Sequence, residues 1–158
     1  MQALGDRLVA VVHGTLKHTS FILQENIAEG TPIDTGRARG SWRLNEDKPD
    51  KSHLPLLRDN VNPISGAIIE RAAPGAKELS PSEALQSSIA QKAKIGEKPR
   101  VIFISNTVPY IEKLEDGSSK QSPPGQMVSA KITPARVQQL VSSVAARLSA
   151  GPNAIEPF

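Results

Sequence analysis

The sequence lacks cysteine entirely and has few aromatic residues: one Trp, one Tyr and three Phe among 158 residues. Without cysteine the fold uses no disulfide, no thiol nucleophile and no cysteine metal site. The scarcity of aromatic side chains predicts a modest, aliphatic core. No apolar run approaches the roughly 20 residues that cross a bilayer, so we expect no membrane partner. The first residues, MQALGDRLVAVV, lack a basic start and a small-residue cleavage site, which predicts no signal peptide.

The composition sets further limits. The net charge of +3 and the isoelectric point of about 9.3 are too weakly basic to indicate nucleic acid binding on their own. Thirteen prolines and eleven glycines predict long loops. The length suffices for one domain with a real core, which we expect over residues 1–150. Residues 151–158 then form a C-terminal tail, either a frayed end or an arm on a neighbouring subunit.

Residues 2–29 show apolar side chains at every third or fourth position, a pattern that predicts one long amphipathic helix. Gly30 and Pro32 are expected to end it. A helix of about 40 Å exceeds what so small a domain needs. It is therefore either a core helix of its own domain or part of a subunit interface. The apolar positions are Leu4, Leu8, Val12, Leu16, Leu23 and Ile27.

A turn at 34–36 precedes an alternating pattern over 37–44, which predicts a strand. Three arginines fall on one face of this strand and Trp42 falls on the other, buried face. The charged face is a solvated surface, a protein interface or a surface toward DNA. Arginine suits interfaces because its planar guanidinium pairs with carboxylates in two ways. The turn residues are Asp34, Thr35 and Gly36, and the arginines are Arg37, Arg39 and Arg43.

The rest of the chain predicts short elements separated by loops. Residues 45–81 are expected to be irregular apart from a strand at 67–71. A helix is predicted for 82–94, a strand buried on both faces for 101–105, a strand for 127–132 and a last helix for 134–149. The fold class is therefore α+β, with a long N-terminal helix, a small, mainly antiparallel sheet, a C-terminal helix and long loops.

Residues 104–128 carry the most distinctive pattern. Asn106 and Thr107 are expected to cap a short helix, and Gly117 to end it in a left-handed conformation. A polar loop with two prolines and a glycine then leads to Met127. The residues that shape this helix are Asn106, Pro109, Tyr110, Leu114 and Gly117.

Two segments resemble the signature of bacteriophage tail-completion (neck) proteins, a family that includes minor tail proteins of the Z type. The first segment, TPIDTGRARGSW at 31–42, is similar to the family's TPxDTGxxRxxW. The second, NTVPYIEKLEDGSSKQSPPGQMV at 106–128, is similar to NxxPYAxxLExGxSxQAPxGMV. It departs from that pattern by Ser122 in place of Ala and by an additional residue, Gln126. Both segments stand in the family's order.

The resemblance implies a structural virion protein rather than an enzyme, with no cofactor. In this family, copies form a ring, typically six-fold, at the head-proximal end of the tail. The ring terminates the tail tube and joins it to the head connector. The implied partners are further copies of the chain in a hexameric ring, the head connector or stopper protein and the major tail tube protein, with DNA only as passing cargo in a channel. We expect assembly in the host cytoplasm and a final location in the virion neck.

The arginine strand and the loop of the second segment are expected to form the contact surfaces. Acidic residues on the short helix form either its solvated side or the surface that receives the arginines of a neighbouring copy. The expected contact residues are Arg37, Arg39, Arg43, Glu112, Glu115, Ser119, Lys120, Gln121, Pro123, Pro124, Gly125 and Met127. The motif residues expected to shape the fold are Asp34, Thr35, Gly36, Trp42, Asn106, Pro109, Tyr110, Leu114 and Gly117.

Two other functions stay open at this point. One is a head-closure or adaptor protein of the connector, which does a related job. The other is a small basic DNA-binding module, against which the scattered cations and the nearly matching acidic count argue. An enzyme is not expected, because the sequence has no HExxH, GxSxG or P-loop motif. His13 and His18 lie about 140° apart around their helix and cannot share a metal ion.

Overall fold

The computed structural model describes residues 2–117, 124–125 and 128–150. Its longest element is helix α1 (Gln2–Gly30), as the periodicity predicts. The C-terminal half of α1 is buried, including Leu23, Ile27 and Ala28. Residues 4–10, by contrast, are exposed. The apolar stripe of α1 therefore enters the core along only part of its length.

Two further helices pack against α1. Helix α5 (Pro134–Ala150) ends beside it: the Arg7 guanidinium donates to the Ser149 carbonyl at 3.0 Å, and Leu148 lies against Gly14. Helix α3 (Pro81–Ile89) continues into a 3₁₀ turn, Ala90–Lys94. Ser80 and Glu83 form a reciprocal capping box at the start of α3. The predicted helices 82–94 and 134–149 are thus confirmed within one residue at their ends.

The strands form two small antiparallel pairs. Strand β1 (Arg43–Glu46) pairs with β4 (Ile102–Ser105), with Arg43 opposite Ser105 and Glu46 opposite Ile102. Strand β2 (Asn60–Val61) pairs with β3 (Ile68–Glu70) in a hairpin. The two remaining helices are short: α2 (Arg37–Gly40) and α4 (Ile111–Glu115). The α+β class, the two long helices and the small antiparallel sheets are confirmed.

The core centres on Ile27, Ala28 and Trp42. Trp42 is 5% exposed, which confirms its predicted burial. The side chain of Gln24 is fully buried, and its amide nitrogen donates to the Ser88 carbonyl at 2.9 Å. Partly buried side chains complete this cluster: Leu85, Ile104, Ile111 and Val128. The core is small and mainly aliphatic, as the composition indicates. Among the described residues, no helix is long and apolar enough to span a membrane.

The predicted strand over 37–44 is wrong at its start. Residues 37–40 form α2, and the strand begins only at Arg43. Gly36 has a φ of +77°, and the Gly40 N–H donates to the Gly36 carbonyl at 2.9 Å, which closes a helical turn. A side chain at Gly40 would start 2.6 Å from Leu54. The left-handed Gly36 and this hydrogen bond form the turn, and the alternation of arginines with small residues is misleading.

Three other local predictions need correction. The predicted strand 127–132 is a turn at 128–131, and Met127 lies outside the described residues. Strand β4 is half-buried along its length rather than buried on both faces, because the sheet has only two strands. Asn106 does not cap α4: its Oδ1 accepts from the Val108 N–H, and Tyr110 precedes the helix without a side-chain cap. Gly117 does take the predicted left-handed conformation, with φ of +87°.

Candidate interaction site

The two motif segments, 31–42 and 106–117, meet in the structure. The Asn106 side-chain amide donates to the Ala38 carbonyl at 2.8 Å. The Arg37 guanidinium carbon lies 5.9 Å from the centre of the Tyr110 ring. Between the segments lies a cleft of about 330 Å³ lined by residues 32–38, Tyr110 and Leu114. We call this the motif cleft, because every residue that lines it belongs to one of the two segments.

The floor of the motif cleft depends on the turn at Gly36. Gly36 has a positive φ, a backbone conformation that residues other than glycine rarely adopt. A Cβ atom there would lie 2.7 Å from the Leu79 Cβ and 2.8 Å from the Leu79 carbonyl oxygen. The Leu79 N–H in turn donates to the Thr35 carbonyl at 3.1 Å. Glycine is therefore required both by the backbone conformation and by the close approach of Leu79.

Arg37 links the motif cleft to the neighbouring loop and hairpin. Its side chain is 4% exposed. The Nε atom donates to the Leu54 carbonyl at 2.7 Å, and Nη2 donates to Glu70 Oε1 at 2.5 Å. Two further clefts, of about 360 and 140 Å³, adjoin this side chain. Arg37 is thus an internal cross-link, and its charge is already matched within the chain.

The surroundings of this ion pair are polar but enclosed. His53 places Nδ1 3.0 Å from Thr107 Oγ1 and Nε2 3.6 Å from Glu70 Oε1. Burial raises the pKa of the Tyr110 hydroxyl, although the Arg37 charge opposes this shift. The second oxygen of Glu70 is buried, and no hydrogen-bond partner for it occurs within the described part of the chain. Arg37, Glu70 and His53 therefore form one connected polar cluster beside Tyr110.

Arg39 has a different role from Arg37. Its guanidinium donates to the Thr31 carbonyl at 2.9 and 3.1 Å and to the Glu29 carbonyl at 2.9 Å. These acceptors lie at and just beyond the end of α1, where carbonyls lack partners in the helix. A cation at a helix C-terminus also interacts favourably with the helix dipole. Arg39 therefore caps α1.

Arg43 lies on the buried side of the same region. Its Nη1 donates to the Gly40 carbonyl at 2.7 Å and to the Trp42 carbonyl at 3.2 Å, and its Nε donates to Ser52 Oγ at 3.2 Å. The three arginines thus have three separate sets of partners and do not share one face. Their expected role as contact residues stays a prediction, but each side chain already makes contacts within the chain.

The acidic residues of the second segment also differ from each other. Glu112 is exposed on α4. The Glu115 carboxylate accepts from the Val128 N–H at 3.0 Å and from the Ser129 N–H at 2.8 Å. Glu115 therefore holds the chain after the loop against α4. Of these two glutamates, Glu112 is the one that retains the exposure expected of a contact residue.

The loop of the second segment is described only at Pro124 and Gly125. The Gly125 N–H donates to the Glu115 carbonyl at 2.7 Å, and Pro124 lies so close to Gly117 that a Cβ there would meet its ring at 2.5 Å. This contact accounts for both the glycine and the proline. Five expected contact residues lie outside the described residues: Ser119, Lys120, Gln121, Pro123 and Met127.

Sequence reasoning missed Glu70 and the loop around Leu54. Both lie in the segment 45–81, which carries no periodic pattern, and a single carboxylate there gives no signal of its partner. Only the fold brings Glu70 to Arg37, 33 positions earlier in the chain.

The described residues include no group of three or more His, Cys, Asp or Glu side chains placed to hold a metal ion. No family model, no curated protein and no solved structure matches this chain. The two motif segments and the geometry that joins them are therefore the basis for a functional proposal.

Proposed function

We propose that this chain is a structural subunit of the bacteriophage neck. It forms a ring at the head-proximal end of the tail, terminates the tail tube and joins it to the head connector. The observation that carries this proposal is the motif cleft. The two segments that resemble the tail-completion family are separated by more than 60 residues, and they line one cleft together. Residues that form one functional surface must lie together in the folded chain, as these two segments do.

The composition of the motif cleft favours recognition by shape. The buried charge beside it, Arg37, is paired with Glu70. The remaining lining is one exposed carboxylate, Asp34, together with backbone, small side chains and three larger ones, Ile33, Tyr110 and Leu114. Such a surface binds a protruding segment of another protein by complementarity, with a few polar groups fixing its orientation. The proposed partners are other copies of the chain, the head connector and the tail tube protein.

The contacts of the arginines weigh against DNA binding as the main function. Proteins contact DNA phosphates through Lys and Arg side chains that are accessible to the backbone of the duplex. Arg37 and Arg43 are buried, and Arg39 donates to the end of α1. DNA then enters the proposal only as cargo that passes through the ring.

Deletion of the gene from its parent phage tests the proposal. We expect DNA-filled heads beside separate tails, some of irregular length, when lysates are viewed by electron microscopy. Whole, infectious particles would contradict a neck function. The neighbouring genes distinguish the related head-closure function, because a major tail protein gene immediately downstream would favour the tail side.

A matched pair of variants connects the motif cleft to this phenotype. Asp34→Lys reverses a charge at the exposed rim of the cleft. Glu97→Lys makes the same change at an exposed position that does not line it. We expect Glu97→Lys to restore plaque formation to the deleted phage and Asp34→Lys to fail, although both fold. Equal complementation by the two variants would remove the cleft from the contact surface.

A further inference from the structure

The N-terminal half of α1 presents an apolar stripe to solvent. Leu4, Leu8, Val9 and Val12 are 75%, 65%, 49% and 58% exposed. Leu4, Leu8 and Val12 are four positions apart and so follow one another at about 40° around the axis, and Val9 extends this surface to an arc of about 140°. Together they expose roughly 400 Å² of apolar surface, which is in the range of functional patches on monomeric proteins. We call these four residues the α1 stripe.

A second apolar surface lies on the hairpin formed by β2 and β3. Ile64, at its tip, is 96% exposed. Val61 and Ile68 are cross-strand partners, and both are partly exposed behind the tip. The turn is well defined: the Asn62 Oδ1 accepts from the Ile64 N–H at 2.9 Å and from the Ser65 N–H at 3.1 Å. The hairpin thus presents an isoleucine on a built turn, which is an unusual place for so large an apolar side chain.

The base of the hairpin lies near the end of α1 that is opposite to the α1 stripe. The base of the hairpin is fixed through Glu70 to Arg37, which follows the C-terminal end of α1 closely in the chain. The α1 stripe occupies the first three turns of the same helix. Val12 and Leu4 are separated from Gly30 by roughly 27 and 39 Å along the axis. One copy therefore offers an apolar projection at one end and an apolar helix face at the other.

We propose that the hairpin of one copy, led by Ile64, packs against the α1 stripe of the next copy. This inference rests on the proposed ring. Two different surfaces at opposite ends of a subunit make a head-to-tail contact, and such contacts close into rings when the rotation between subunits allows it. A two-fold dimer would instead make this contact twice, each hairpin on the other copy's stripe, and would stop at two copies.

The sizes of the two surfaces agree with this arrangement. Each contributes roughly 300–400 Å² of apolar area, so their union removes roughly 700 Å² from water. A standard interface at the lower end of its range buries about 1,200 Å², of which a little over half is apolar. The hairpin and the α1 stripe together match that apolar share.

The absence of cysteine from the chain allows a direct test by disulfide cross-linking. Two purified single-cysteine variants, Ile64→Cys and Leu8→Cys, are mixed and oxidised with diamide. A disulfide forms only where the two Cα atoms approach within about 7 Å. The matched control replaces Ile64→Cys by Ile69→Cys, whose position in β3 is 64% exposed but lies on the face of the strand opposite to Ile68. All these positions are exposed, so the variants keep the fold, which circular dichroism checks.

We expect the Ile64 and Leu8 pair to give a covalent dimer in about fivefold or greater yield over the control pair. A yield equal to that of the control would overturn the proposal. So would a predominance of Leu8–Leu8 dimers, since the stripe would then pair with itself. The C-terminal residues 151–158, which lie outside the described residues, are the other candidate to cover the stripe. To test this, Leu8→Cys is labelled with a maleimide in dilute solution, once in the full chain and once in a chain that ends at residue 150. Faster labelling in the shorter chain would mean that residues 151–158 cover the stripe, and it would overturn the proposal.

These outcomes are separable from those of the gene deletion. Cross-linking of purified chains does not depend on where the protein acts. Whole particles after deletion, together with a specific cross-link, would remove the neck function and leave the contact between copies. Separated heads and tails after deletion, together with no specific cross-link, would support the neck function and remove the proposed contact between copies.

Discussion

The indole nitrogen of Trp42 donates a hydrogen bond to the Thr31 hydroxyl at 2.8 Å. The same hydroxyl donates to the Ile27 carbonyl, also at 2.8 Å, in the last turn of α1. Thr31 and Trp42 are the first and last residues of the first motif segment. The hydrogen bond between them closes the segment onto the end of α1, and it satisfies two polar groups that are buried in the core.

Replacing Thr31 tests this closure. Thr31→Val keeps the shape of the side chain but leaves the buried indole N–H without its acceptor. We expect a loss of about 1–3 kcal/mol in the free energy of unfolding, measured by denaturant titration. Thr31→Ser retains the hydroxyl and is the matched control, with a smaller loss. Equal stability of the valine variant and the natural chain would mean that the hydrogen bond contributes nothing net.

The turn at Gly36 allows strain and steric clash to be separated. Gly36 and Gly75 have nearly identical φ values, +77° and +78°, but a Cβ at Gly36 meets Leu79 whereas one at Gly75 meets nothing within 4 Å. Gly75→Ala should therefore lose only about 1 kcal/mol, from the left-handed backbone. Gly36→Ala should lose more, with a lower melting temperature in calorimetry. Similar losses would show that Leu79 yields without cost.

Arg39 offers a choice between a cap of α1 and a contact with another subunit. Arg39→Met keeps much of the aliphatic stem and removes the donors to Glu29 and Thr31. As a cap, Arg39 should contribute about 1–2 kcal/mol to the free energy of unfolding of the isolated chain. The free energy of unfolding of Arg39→Lys should lie between those of the natural chain and Arg39→Met, because one ammonium group cannot donate in the planar arrangement of a guanidinium. Unchanged stability combined with failed complementation of the deleted phage would instead favour the contact function.

The capping box of α3 predicts a pH dependence. Hydrogen bonds from the Ser80 backbone N–H and the Lys77 ammonium lower the pKa of Glu83 from 4.5 to about 2. Because the pKa is lower in the folded state, the stabilisation is complete above about pH 4.5 and is lost as the pH falls toward 2. The difference in stability between the natural chain and Glu83→Gln should be constant from neutral pH to about 5 and shrink below it.

This difference in stability is measured by following unfolding with circular dichroism across this pH range. Glu97→Gln, at another exposed carboxylate, controls for the change of net charge. A difference for Glu83→Gln that does not vary with pH would mean that the carboxylate charge is not part of the cap.

Local signals were sufficient where the chain decides its own conformation. The apolar period of α1 and α5 and the left-handed Gly117 follow from the preferences of nearby residues. These features need no knowledge of the rest of the fold. The burial of Trp42 is confirmed as well, but it was predicted from an alternating strand over 37–44, and residues 37–40 of that segment form α2.

The three arginines could not be assigned in this way. Their spacing predicted one charged strand face, but α2 turns the chain between Arg37 and Arg43 and separates their partners. Each partner is distant in sequence or is a backbone carbonyl, and a carbonyl has no sequence signal. An alternating pattern of long polar side chains is therefore a poor guide to which face of a segment is exposed.

Local preferences specify helices α1, α3, α4 and α5, the glycine turns and the two motif segments, because these depend on residues and spacings within a short stretch of chain. The tertiary structure alone decided that the segments share a cleft, that Arg37 is paired with Glu70 and that Arg39 caps α1. It also decided that the apolar pattern of α1 enters the core at one end and faces solvent at the other. Burial is set by what packs on a surface, and only the folded chain specifies that.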